Sequence, residues 1–292
     1  MDAVITFVNG LDPEWRNLYF ETTNKPILEK RYRDWGLLKF LLRGIEKYMP
    51  FIENVFLVVS GESQIPEWAD TSRLRIVLHK DIIPAKHLPL FNSASIECFI
   101  HRIPGLSEQY VYFNDDMYPV QPCTEEDFFV DGKSTIGFKM HIYSHNLYKK
   151  HARFSDRLAR VAAGKKPSPI FIRPQHICSP MLKSACEELE SKAGDTIDKS
   201  ISTLREDYNY SQYLFLDYMR HTGRANNKGI PKKHFSMKVA SAENIAAFLR
   251  KPTAKMVCIN DVQMSEEKYL RYRKTITEAF EDAFPAKSSF EL

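Results

Sequence analysis

With 292 residues, 43% hydrophobic and 27% charged, the sequence has the composition of an ordinary folded globular chain, which excludes a disordered or low-complexity protein. A formal charge of +4 is too weak to argue for nucleic acid, yet it suits an anionic substrate or an anionic membrane surface. The five cysteines (Cys98, Cys123, Cys178, Cys186, Cys258) include no C-x-x-C pair, and no run of ~18 apolar residues or basic-then-apolar leader is present. Neither a disulfide framework, a zinc knuckle nor a membrane span is expected, and a reducing cytoplasm is the default.

Ala3 to Val8 is a β-rich run closed by Asn9-Gly10 and reads as the first strand of a sheet. Asp12 and Trp15 follow it, an acid and an aromatic that suit a nucleotide base, although Asp12-Pro13 is more commonly just the start of a helix. Arg31 and Arg33 introduce an amphipathic helix with Leu37, Leu38, Leu41, Leu42 and Ile45 on one face, ended by Pro50. A guanidinium near a helix start suits phosphate oxygens; for any single arginine, a solvated surface position is the commoner outcome. Asn54–Ser60 and Arg73–His79 are further buried strands, and the alternation of strands and helices predicts a parallel α/β sheet. A helix is predicted from Asn92, with Ile96, Phe99, Ile100 and Ile103 on one face. Glu97 and His101 stand one turn apart on its other side, as a surface contact or as part of a site.

The stretch Tyr110-Val-Tyr-Phe-Asn114-Asp115-Asp116-Met-Tyr-Pro119 organises the rest. A short buried strand ends in a polar triplet, and open α/β sheets bind ligands beyond the carboxyl ends of their strands. Two adjacent hard oxygen donors suit Mg²⁺ or Mn²⁺ carrying a diphosphate; the competing reading is a simple turn.

Gly132 to His145 alternates apolar and polar residues. A basic tract follows, from Lys149 through Arg153, Arg157 and Arg160 to Lys166; it suits an anionic acceptor or phospholipid headgroups, or is a solvated face. Ser179-Pro180 is predicted to cap a helix stopped at Gly194, with His176 in the loop entering it and Arg173 and Lys183 nearby, a setting that suits phosphate chemistry. Arg205 precedes a tyrosine-rich helix, either core or a sugar-stacking surface. Lys255–Ile259 is a last strand, predicted to return to the same sheet, and it too is followed by an Asn-Asp pair, Asn260-Asp261. Ser265 begins the final helix. There is no Walker loop, G-x-G-x-x-G or G-x-S-x-G.

Several of these blocks together resemble the Stealth family, which includes bacterial capsular-polysaccharide hexose-1-phosphate transferases and the lysosomal-enzyme N-acetylglucosamine-1-phosphotransferase. They are Asp2-Ala-Val-Ile-Thr-Phe-Val-Asn-Gly-Leu-Asp12-Pro-Glu-Trp15; Arg31-Tyr-Arg-Asp34 through Ile65-Pro-Glu-Trp68, Leu88-Pro-Leu-Phe-Asn92, Ile96-Glu97 and Tyr112-Phe-Asn114-Asp-Asp116; a third block with His176, Lys183 and Arg205; and Cys258-Ile-Asn260-Asp261. Phe7 stands where the family often has tryptophan, and Trp35-Gly36-Leu37 replaces an Asn-x-Glu.

The resemblance implies transfer of a hexose-1-phosphate, of the N-acetylhexosamine kind, from a UDP-sugar to a glycan or lipid-linked glycan hydroxyl in capsule synthesis, with release of UMP. It implies Asp115, Asp116 and Asp261 as Mg²⁺ or Mn²⁺ ligands, with Asp116 and Asp115 also catalytic and His176 and Glu97 moving a proton or orienting the acceptor. Arg31, Arg33, Lys183 and Arg205 would meet phosphate, with Asp12 and Asn114 as further substrate contacts. The enzyme would be cytoplasmic or peripheral at the inner face of the plasma membrane, with no nucleic-acid partner. The competing readings are a metal-dependent glycosyltransferase releasing UDP and a non-catalytic carbohydrate-binding module. The expected fold is a nucleotide-sugar-binding α/β core, Rossmann-like or GT-A-like, with a mainly parallel sheet flanked by helices. Residues 1–139 and 236–292 would form that core and about 140–235 an inserted helical region, one composite domain over 1–292.

Overall fold

A computed structural model describes residues 1–292. The fold is mixed α/β, with a mainly parallel central sheet whose strand order is Ser179–Leu182, Gln109–Asn114, Asp2–Thr6, Asn54–Val59, Leu74–Leu78. The Ser179–Leu182 strand is an edge and runs antiparallel to its neighbour, with Pro180 opposite Val111. This corrects the predicted helix cap at Ser179-Pro180: proline lacks the amide hydrogen that an inner strand needs on both sides, and an edge strand tolerates it. The helix begins instead at Lys183 and runs through Gly194 to Asp198.

The chain divides into two compact units. The first comprises residues 1–4, 77–112 and 125–230, the second residues 5–76, 113–124 and 231–292. Residues 77–112 group with the region 125–230.

The first unit is built on the helix Gln212–His221, buried at every position from Gln212 to Met219. Its capping residue Ser211 accepts from the Tyr213 amide. The tyrosine-rich stripe is therefore core at Tyr213, Phe215 and Tyr218, while Tyr208 is exposed. The helices Leu147–Ala162 and Lys183–Asp198 pack on it. The predicted long helix after Asn92 is a short helix, Ser93–Glu97, followed by a 3₁₀ turn, Ile100–Arg102. Both Glu97 and His101 are buried, so the expected surface pair is interior.

In the second unit the helix Leu38–Tyr48 buries Phe40, Leu41, Leu42 and Ile45, with Phe40 stacked on Phe280 at 5.1 Å between ring centroids. Gly44 brings this helix against the strand Met117–Pro119: a Cβ there would lie 2.7 Å from the Pro119 carbonyl oxygen. The last strand, Met256–Asn260, does not return to the central sheet. It lies between Lys232–Ser236, parallel, and Met117–Pro119, antiparallel. The chain turns at Asp115-Asp116 and offers Met117–Pro119 as a partner, so the two acid-bearing segments are joined by a β-ladder. Ser241 and Ser265 cap the helices Ala242–Arg250 and Glu266–Ala283 as predicted. No helix is long and apolar enough to cross a membrane, and the five cysteines form no disulfide.

Candidate active site

The acids of the second unit gather where strands end. The Ile259 amide donates to the Asp116 carbonyl at 2.9 Å, continuing the ladder past Met117 and holding residues 259–261 beside the turn. Asn260 Nδ2 donates to Asp116 Oδ2 at 2.7 Å, and Cys258 Sγ stands 3.5 Å from the same oxygen. The other oxygen, Oδ1, is buried and has no hydrogen-bond partner. Burial pushes the Asp116 carboxyl up to about 6, against the opposing pull of the Cys258 and Asn260 bonds. Asp115 is driven well above the usual carboxylate range by burial and then by the negative charges of Asp116 and Asp34. Its carbonyl accepts from the Tyr118 hydroxyl at 2.8 Å, fixing the turn.

Asp261 accepts from Trp35 Nε1 at 3.1 Å and from the Val262 amide at 2.6 Å, and its Oδ2 lies 3.5 Å from Arg33 Nη1. Burial raises it too, opposed first by Arg33. The Arg33 guanidinium is 4.6 Å from the Tyr269 ring centroid, and its Nη1 makes no hydrogen bond. It is a largely buried cation held by one carboxylate and one aromatic face, with donor capacity left over.

Asp34, beside Arg33, is also raised by burial; it accepts from the Gly36 amide at 2.7 Å. Asp34, Trp35, Asn260 and Tyr269 are the residues that sequence reasoning did not assign to the site. The Trp35–Asp261 bond joins residues 226 positions apart, which leaves no local signature. Asp34 did carry one, being the last residue of the Arg31-Tyr-Arg-Asp34 block.

Asp115 feels the charges of Asp116 and Asp34, while Asp261 faces Arg33 and Trp35; the buried, unpartnered Asp116 Oδ1 is the kind of hard oxygen donor that suits Mg²⁺ or Mn²⁺. Asn114 ends the strand that leads into the turn. Arg31 is exposed, on the short helix Glu29–Tyr32.

Asp12 is engaged within its own chain. It caps the helix Pro13–Thr23, accepting from the Glu14 amide at 3.0 Å, Ser63 Oγ at 2.7 Å and Gln64 Nε2 at 2.6 Å. Burial raises its pKa, but these bonds outweigh it and hold the carboxylate below its ordinary range. Its acceptor capacity is spent on its own chain.

The other expected site residues belong to the first unit. Lys183 lies 3.5 Å from Glu187, and Arg205 Nη2 bonds Ser93 Oγ. His176 Nδ1 is 3.4 Å from the Tyr213 hydroxyl and precedes a strand, not a helix. Glu97 accepts from the Gln212 amide at 2.9 Å and from the Tyr112 hydroxyl at 3.4 Å. Burial pushes it up to about 7, opposed by these bonds and by Arg205. The small cavity beside it is lined by His101, Tyr112 and Gln212 as well as by Ile100, Tyr110, Met181 and Phe215.

Comparison with known proteins agrees with the motif blocks. Residues 31–136 match the model of Stealth protein CR2, conserved region 2. The capsular polysaccharide phosphotransferase WcwK of Streptococcus pneumoniae is 31% identical over 337 residues, covering 100% of this chain and 99% of that protein. This chain belongs to the Stealth family. The receptor polysaccharide phosphotransferase WefC of Streptococcus oralis is 30% identical at 100% and 99% coverage, and the exopolysaccharide phosphotransferase cps2G of Lactiplantibacillus plantarum 27% identical at 100% and 96%. This Stealth protein is accordingly a phosphotransferase. Among solved structures, the galactosyltransferase LgtC with donor and acceptor sugar analogs is similar over 99% of this chain, at 9% identity and a TM-score of 0.46.

Proposed function

We propose that this Stealth enzyme moves an N-acetylhexosamine-1-phosphate, or a related hexose-1-phosphate, from a UDP-sugar to a glycan or lipid-linked glycan hydroxyl during cell-surface polysaccharide synthesis, forming a phosphodiester and releasing UMP. The observation that carries the reading is the Asp116 carboxylate, anchored on one oxygen by Asn260, bare on the other, and close to the further acid Asp115. Three polysaccharide phosphotransferases aligned end to end with this chain support it, and residues 1–292 are proposed to act as one composite catalytic domain.

Asp115 and Asp116, with Asp261 adjoining, would hold Mg²⁺ or Mn²⁺, which neutralises diphosphate charge when bound. The acceptor oxygen attacks the sugar-proximal phosphorus, the bond from that phosphorus to the UMP oxygen breaks, and the anomeric bond stays intact. Such a displacement needs positioning and charge neutralisation more than covalent chemistry. Arg33, oriented by Asp261 and Tyr269, supplies a desolvated guanidinium for phosphate oxygens, with Arg31 as an exposed second cation. Asp115 or Asp116, whichever carboxylate oxygen the metal leaves free, would receive the hydroxyl proton. Lys183 and Arg205 are proposed to add positive charge for the substrate and His176 to move or orient a proton. Glu97 is proposed to position the Tyr112 hydroxyl and the Gln212 backbone amide. A cytoplasmic setting, at or near the inner membrane face, would give access to UDP-sugars.

The test is the nucleotide released from UDP-N-acetylglucosamine, Mg²⁺ and an acceptor glycan. UMP is expected; UDP would overturn the reading in favour of a glycosyltransferase.

A further inference from the structure

The chain's positive charge is concentrated in one place. Residues 138–170 hold eight lysines and arginines against the single acid Asp156, a net +7 where the whole chain carries +4, so the remaining residues sum to −3. Asp156 is buried and pairs with Arg160 and His221, and Lys150 pairs with Asp207, so six of the eight cations have no acidic partner. Lys139, Arg157, Lys165 and Lys166 are exposed, and neither they nor Lys149 form an ion pair.

The same residues carry an excess of exposed apolar surface. Seven of the fifteen large hydrophobic side chains exposed in the protein fall here. The antiparallel ladder of Phe138–His141 with Phe171–Pro174 pairs His141 with Phe171, and Ile142 and Ile170 continue the two strands from that end. They are 55% and 42% exposed, and neighbouring Met140 and Tyr143 are each 77% exposed. Arg153 ties the adjoining helix Leu147–Ala162 to this ladder, with its guanidinium 5.8 Å from the Phe171 ring and Nη1 3.4 Å from Ser144 Oγ. The helix buries His151, Ala152, Ser155 and Ala159 and presents Phe154 and Val161, exposed, beside Arg153 and Arg157 on the outer face.

A solvated charged face gains nothing from exposed isoleucine and phenylalanine, and an apolar protein interface is depleted of unpaired lysines. An interfacial membrane contact uses both: cations on anionic headgroups, apolar and aromatic side chains at the acyl boundary. We infer that residues 138–170 form a docking surface for an anionic phospholipid bilayer. Lys165, Lys166, Arg157 and Lys139 engage headgroup phosphates, and Ile142, Tyr143, Ile170 and Phe154 enter the interface. The inference does not rest on the proposed chemistry, since no residue of this surface belongs to the acid cluster.

The test is sedimentation of the full chain with phosphatidylcholine vesicles, with and without about 30% phosphatidylglycerol. Binding is expected only with the anionic lipid. The triple substitution Arg157→Gln, Lys165→Gln, Lys166→Gln is expected to weaken partitioning on the order of a hundredfold, at about fivefold per charge, and Ile142→Ser by about tenfold. Unchanged melting temperatures and unchanged turnover on a water-soluble acceptor exclude unfolding as the cause. Equal binding to neutral vesicles, binding that survives the triple substitution, or no binding at all would overturn the inference. Binding to a soluble anionic polymer but not to vesicles would also overturn it, in favour of an acidic-glycan partner.

Discussion

Asp115 and Asp116 in the second unit, and Asp156 and Asp217 in the first, are both pairs of acids withdrawn from water, but their charge is settled differently. Between the helices of the first unit, Asp156 is 1% exposed and meets Arg160 Nε and His221 Nε2, each at 2.7 Å. Asp217, wholly buried with neither oxygen partnered, is driven well above the carboxylate range by burial and by Asp156, with Arg160 opposing. One acid is paired and the other is raised by its burial beside it, so the helical pair is closed. At the strand ends, Asn260 and Cys258 bond one oxygen of Asp116 and leave the other unpartnered, while the Arg33 guanidinium lies against Asp261. Structure neutralises its buried acids from within; a site leaves them for a ligand to neutralise.

The largest effect that would sharpen this contrast is Asp116→Asn. It is expected to lower kcat on the order of 10³-fold without lowering the melting temperature, because it removes a charge that burial disfavours. Loss of both activity and stability would make Asp116 structural and erase the distinction. Asp156→Ala is expected to do the reverse in equilibrium denaturation, costing about 3–5 kcal/mol by stranding Arg160 and His221, while any correctly folded fraction keeps its specific activity.

Glu97 extends the comparison to pH. Its folded value near 7 lies above the ordinary 4.5, so the stability it contributes is complete below about pH 4.5 and is lost as pH rises toward 7. Denaturant titrations should therefore find the wild type's advantage over Glu97→Gln shrinking across that window, by on the order of 3 kcal/mol. A gap that is constant with pH would show that Glu97 is charged throughout. The smallest effect is expected of Asp217→Asn: a neutral group replaces a protonated one, and stability at pH 7 should move by no more than about 1 kcal/mol, with turnover unchanged. A loss of several kcal/mol would mean that Asp217 carries a charge after all.

Much of this was legible in the sequence where periodicity and caps act locally. The strand ending in Asn114-Asp115-Asp116, the repeat of that ending at Asn260-Asp261, and the helices begun by Ser241 and Ser265 follow from alternation and capping alone. What failed was set by distant partners. Ser179-Pro180 carries a good helix-start signal, yet edge pairing with residues 111–112 wins. Glu97 looks like half of a surface pair until Gln212, 115 residues on, is seen to bond it. Asp12 reads as a cap or a ligand with equal chemistry, and only Ser63 and Gln64 decide for the cap. Trp35, a departure from the family pattern, becomes meaningful only through its bond to Asp261.

The most direct test of the contrast is a Mn²⁺ titration followed by electron paramagnetic resonance in the presence of UDP, on the wild type, Asp116→Asn and Asp217→Asn. The strand-end acids are expected to bind Mn²⁺ saturably in the wild type and in Asp217→Asn, with affinity reduced at least tenfold in Asp116→Asn. Equal binding by all three proteins, or none by the wild type, would contradict the assignment of the strand-end acids as the metal site.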